Sequence, residues 1–189
     1  MEQEEYLDRY ERILQDGLVK LCTGAGLLSG EALSCPDAEG WWDVWVKDYI
    51  GDAVDNFNEY PMAAIGWAAF LGMGVAWKWD SAWPSGNAPA KLSYRAFYGS
   101  RGFDDMDEHI MWDLLGLTHE CGRKVSDTVL SCAQAALGLI QHEGVETQTS
   151  LGFYVLSRTY SVMFRIGVAM ELQRLGYRKV LLDPSRIVR

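Results

Sequence analysis

Apolar residues recur at helical spacing along most of the chain, and no alternating strand pattern of useful length appears. Tyr6, Tyr10, Ile13, Leu14, Leu18 and Leu21, with charged residues between them, predict a first helix over 4–22. Gly24, Gly26 and Gly30 follow as its stop. A connector at 28–40 holds the breakers Ser34, Pro36, Asp37 and Gly40. A second helix is expected over 39–60, with Val46, Tyr49, Ile50, Ala53, Phe57 and Tyr60 on its apolar face. The third spans 61–79 and opens at Pro61, a residue suited to a first helical turn. Within it Ala64, Ala68, Gly72 and Ala76 stack as one ridge of small side chains. Such a ridge lets another helix come close. Gly66, Gly72 and Gly74 each cost about 1 kcal/mol of helix propensity against Ala. Tight packing is the natural compensation, so this helix is predicted to be central.

Residues 80–102 read as a long irregular connection, with room for a short helix around 90–98. Its Trp83, Tyr94, Phe97 and Tyr98 predict that it packs down onto the rest. A fourth helix is expected over 103–121, with two apolar stripes and Gly122 as its stop. A fifth over 124–142 ends at Gly144, and a sixth over 147–175 ends at Gly176. The tail carries Lys179-Val180-Leu181-Leu182, a short strand or a docked arm. The fold class is therefore all-α: one domain over 1–189, a bundle of five to six helices with a long irregular connection near 80–102.

Composition narrows the function. The 189 residues carry a formal net charge of −9, and 49% are hydrophobic. A chain this apolar is not intrinsically disordered. An acidic balance excludes nucleic acid and anionic membrane surfaces as partners, since both need clustered Lys and Arg. From Pro61 to Trp77 there are 17 residues without a charge. That run is shorter than the roughly 20 needed to span a bilayer. It is also rich in Ala and Gly, and reads as a buried core helix. The start, Met1-Glu2-Gln3-Glu4-Glu5, is acidic and lacks a secretory pattern. Cys22, Cys35, Cys121 and Cys132 form no CxxC pair. The expectation is a cytoplasmic protein with reduced, structural thiols.

Four groups carry candidate chemistry. Asp48, Asp52, Asp55 and Glu59 form an acidic stripe on the second helix. It is a solvated face, a set of Arg partners, or a hard-cation site. Asp105, His109 and Asp113 fall four apart, beside Asp104, Asp107 and Glu108. A His among carboxylates can hold zinc, iron or manganese. Asp104, Asp105 and Glu108 also fit a short DDxxE spelling associated with Mg²⁺-held diphosphates, although acids at a helix start need no ligand to explain them. Arg158 and Arg165 lie in an apolar stretch of the sixth helix. They make either a buried ion pair with a carboxylate of the second or fourth helix, or an anion clamp. Trp41, Trp42, Trp45 and Trp83 are candidate interface or pocket aromatics, because three tryptophans in one turn cannot all point inward.

The Glu-x-x-His pairs of diiron bundles, a P-loop, a dinucleotide glycine fingerprint and a G-x-S-x-G elbow are all missing. Two readings follow. The first is a helical bundle acting through protein contacts, as a homo-oligomer or with a protein partner, without nucleic acid, membrane or resident cofactor. The alternative is a metal-dependent helical hydrolase of a phosphate-containing small molecule. There Asp48, Asp52, Asp55, Asp105 and His109 would hold a divalent cation that activates water.

Overall fold

The structure is a computed structural model that describes residues 2–82, 92–146 and 148–179. Among these residues six helices and no strand form an all-α bundle. They are α1 (Glu2–Gly24), α2 (Pro36–Glu59), α3 (Pro61–Ala82), α4 (Met106–Glu108, continuing as a π-helical stretch His109–Leu114), α5 (His119–His142) and α6 (Ser150–Arg174).

The helix ends follow from local chemistry. Gly26, Gly144 and Gly176 adopt positive φ after α1, α5 and α6. At each, the next amide reaches back five residues, as Leu27 N does to Cys22 O at 2.9 Å and Tyr177 N to Leu172 O at 3.0 Å. Thr118 and Thr149 cap α5 and α6 through their hydroxyls. α2 begins three residues earlier than the spacing predicts. Pro36 opens the helix rather than breaking the connector, and Glu39 Oε1 accepts from Cys35 N at 2.9 Å.

α1 and α6 run in the same direction, since Tyr10 is bonded to Thr159 and Cys22 touches Met170. α5 runs opposite to α1, with Arg9 on Glu143 and Cys22 on Cys132. α3 lies at the centre, buried without interruption from Ala64 to Ala76. It packs most extensively on α6. A Cβ at Gly72 would lie 2.0 Å from the Phe164 carbonyl oxygen, and one at Gly167 would lie 1.8 Å from the Ala69 carbonyl oxygen. Each of the two backbones therefore rests in the other's glycine gap. Gly74 likewise leaves room for the Phe97 ring.

The predicted fourth helix needs correction. Residues 103–121 do not form one helix: a 3-10 turn Phe103–Asp105, α4 and its π stretch end at Leu115, and Gly116 turns the chain at φ +58°. Gly122 is no stop but lies inside α5, where a Cβ would meet the Trp112 ring at 2.2 Å. The π winding carries Trp112 over this gap, which the even spacing of apolar residues could not reveal. The long connection is also shorter than expected. α3 continues to Ala82, and a 3-10 turn at Tyr94–Phe97 follows at 94, burying Tyr94 and Phe97. Trp83 and Val180-Leu181-Leu182 lie outside the described residues. No helix among the described residues is long and apolar enough to cross a membrane.

The glycine contact is open to direct measurement. Gly72→Ala and Gly167→Ala should each cost about 3 kcal/mol or more, because the steric partner is backbone and cannot rotate away. Gly17→Ala, at an exposed α1 position with nothing within 4 Å, should instead stabilise by about 0.5–1 kcal/mol. Urea melts of the three variants check this, and a native midpoint for Gly72→Ala would contradict the close contact.

Candidate functional sites

The expected carboxylate stripe is divided by its surroundings. Asp48, Asp55 and Glu59 are exposed on α2. Asp52 is half-buried and accepts from the Tyr94 hydroxyl and from Arg95, whose Nη2 lies at 2.7 Å. These bonds, Tyr94's first, hold its carboxyl below the ordinary aspartate value. Asp105 sits elsewhere, enclosed by its own loop. Its oxygens accept from the Ser100 hydroxyl at 3.0 Å and from the Arg101 amide at 3.0 Å. Gly99 leaves the space for it, as a Cβ there would lie 2.5 Å from the carboxyl carbon. Burial pulls the Asp105 carboxyl upward, yet the Arg101 and Ser100 bonds outweigh it and the group lies below its ordinary value.

His109 is bonded through Nδ1 to Asp113 at 2.8 Å, on the π stretch. Arg101 lies 3.7 Å from both Asp105 and Glu108, while Asp104 faces solvent. Asp52 thus answers to donors of the Tyr94–Phe97 turn, and Asp105 to donors of its own loop. Among the described residues no group of three or more His, Cys, Asp or Glu is arranged to hold a metal ion.

The tryptophans of α2 face inward. Trp42 stacks on Phe164 with centroids 4.8 Å apart and donates its indole N–H to Ser161 at 2.7 Å. Trp45 is buried and donates to the Leu92 carbonyl at 2.8 Å. Trp41 is half-buried beside Trp45, and the side chains exposed on this turn are Asp43 and Val44. Trp45 and Tyr49 belong to an aromatic cluster with Tyr94 and Phe97 of the 3-10 turn. The downward packing of that segment is their doing.

Arg158 and Arg165 converge on Glu11 of α1, not on a carboxylate of the second or fourth helix. Arg158 also reaches Glu4 at 2.9 Å and Asp8 at 3.4 Å. Burial alone would raise the Glu11 carboxyl, but the bonds and charges of Arg165, then Arg158, bring it below its ordinary value. This pair of arginines borders a cleft of about 450 Å³ between α2 and α6, and Trp42 lies in its wall. The arginines and Trp42, which no spacing in the chain links, therefore share one concavity.

A second concavity was not foreseen. Between the start of α3 and the middle of α5 lies a groove of about 520 Å³. Tyr60, Met62, Trp67, Phe70 and Leu130 supply its apolar surface, and Glu59, Asp107 and Asp127 stand on it as carboxylates. Tyr60 is 61% and Leu130 47% exposed, so large apolar side chains meet solvent here. Burial raises the Asp107 carboxyl above its ordinary value. The sequence signal was present in the apolar Tyr60-Pro61-Met62 junction, but helix periodicity alone assigned Tyr60 to a buried face.

Compared with protein-family models, curated proteins and solved structures, the chain matches none of them.

The Glu11 network makes a pH-dependent contribution of known sign. A carboxyl held below its ordinary value of 4.5 stabilises the fold above that pH, and the contribution drains away as pH falls through the depressed value. The gap in unfolding free energy between the native chain and Glu11→Gln should therefore shrink from about pH 6 to about pH 3. Urea melts across that range check it, and a constant gap would uncouple Glu11 from the two arginines.

Proposed function

We propose that this chain works through protein contacts and that the α3–α5 groove is its docking surface. The observation that carries this reading is an apolar groove with exposed Tyr60, Met62 and Leu130 and three carboxylates, Glu59, Asp107 and Asp127. Exposed apolar surface of this kind marks interaction sites. The carboxylates choose the occupant by charge complementarity: an amphipathic segment of a partner protein, apolar on one face and bearing Lys or Arg beside it. Two copies of the groove pressed together would set like charges against each other, which opposes pairing through this face.

A separate observation favours self-association at another surface. Leu151, Phe153 and Tyr154 are exposed at the start of α6, and no charged residue occurs from Gln148 to Ser157. A second copy fits this uncharged face better than the acidic groove. If so, Phe153→Asp should convert a dimer to a monomer in sedimentation equilibrium. A native chain that stays monomeric at high concentration would remove this second reading.

The groove is tested with a synthetic Leu/Lys amphipathic helix and its Leu/Glu counterpart, titrated by fluorescence anisotropy. The Leu/Lys peptide should bind at micromolar Kd and the Leu/Glu peptide should not. Leu130→Asp, at an exposed position, should weaken binding about tenfold or more, a change of about 1.4 kcal/mol. Equal binding by that variant, or no binding of either peptide, would refute the docking surface.

A further inference from the structure

The cleft between α2 and α6 has two walls of opposite charge. On the α6 side stands Arg165, with Ser157 about two turns before it, and on the α2 side stand Glu39 and Asp43. Among the described residues no ion pair joins these two walls, because the arginines are drawn to α1. Between them the apolar lining is half-buried Val46 and the edge of Trp42, with the buried Phe164 ring stacked beneath it.

The donors and acceptors are unequally used. Arg158 already faces three carboxylates, Glu4, Asp8 and Glu11. Arg165 bonds Glu11 through Nη2 alone, and its side chain is 32% exposed. A guanidinium carries five N–H donors in a fixed fork, so Arg165 keeps unused donors at the cleft. On the opposite wall Glu39 spends Oε1 on Ser34 and Cys35, and Asp43 is exposed.

We propose that this cleft binds a small zwitterion of the free α-amino acid class, its carboxylate on Arg165, its ammonium toward Glu39 and Asp43, and its apolar side chain on Trp42. A simple anion fits poorly, because Glu11, Glu39 and Asp43 outnumber the two arginines. A simple cation fits poorly as well, because it would face Arg165. A molecule bearing both charges answers both walls at once. The volume of about 450 Å³ falls within the range of small-molecule sites, roughly 300–1,000 Å³. The proposal does not depend on the α3–α5 groove, with which the cleft shares no lining residue.

The test is isothermal titration of the full chain with each free apolar α-amino acid, followed in parallel by tryptophan emission. At least one should give saturable binding with Kd of about 1 mM or tighter. For that one, the N-acetyl derivative lacks the ammonium and the decarboxylated amine lacks the carboxylate. Each should bind about tenfold more weakly. Asp43→Asn, at an exposed position, should weaken the amino acid but not its amine-free derivative. Ser157→Leu, which fills the cleft, should abolish binding with the thermal midpoint kept. The proposal is overturned if no amino acid binds, if the one-charge analogues bind as well, or if both variants bind like the native chain.

Discussion

Two backbones in contact determine this molecule. At Gly72 and Gly167, α3 and α6 approach until carbonyl oxygens occupy the places where side chains would begin. Every other element is arranged around that pair. α1 and α5 cover it on one side, joined by Cys22 and Cys132, whose sulfurs lie 3.6 Å apart as free thiols. α2 covers it on the other, with Trp42 stacked on the ring of Phe164, the residue whose carbonyl fills the Gly72 gap. A pair of helices this close leaves no room for polar side chains at the Gly72–Gly167 contact itself.

The polar network at Glu11 works differently. Burying a carboxylate is unfavourable unless its oxygens are bonded, and two guanidiniums answer it. The arrangement ties the first helix to the last across 147 and 154 residues of chain. Removing Arg158 and Arg165 toward α1 also leaves the acids of α2 without them. The same pairing that fastens α1 therefore creates the charge asymmetry of the α2–α6 cleft.

Much of the fold was legible in the chain. The small-residue ridge of α3 announced its central place, and Gly144 and Gly176 marked their helix ends, because left-handed backbone has a local signature. The break at 115–118 was not legible. A π stretch preserves apolar spacing while changing the winding, and Gly122 looks like a stop unless the Trp112 ring above it is known. At the candidate sites, residue types were visible but partners were not. Asp52, Asp105 and His109 could be named as chemistry-bearing side chains, yet each finds its partner within a few residues or in one loop. Glu11, which organises the arginines, lies on a polar face that resembles any solvated helix surface. Long-range pairing leaves no trace in the spacing of a single sequence.

The seating of Trp112 on Gly122 has an evolutionary consequence. The π stretch is one residue more than an α-helix would hold over the same rise, and that surplus is what points the indole at α5. Homologues can differ freely in length in the connectors before and after. Between Met106 and Gly122, however, deletion of a single residue would restore α winding and swing the indole about 100° away from its seat. Insertions and deletions should thus be rarer in this short span than its loop-like appearance suggests, and glycine at 122 should change only together with the tryptophan.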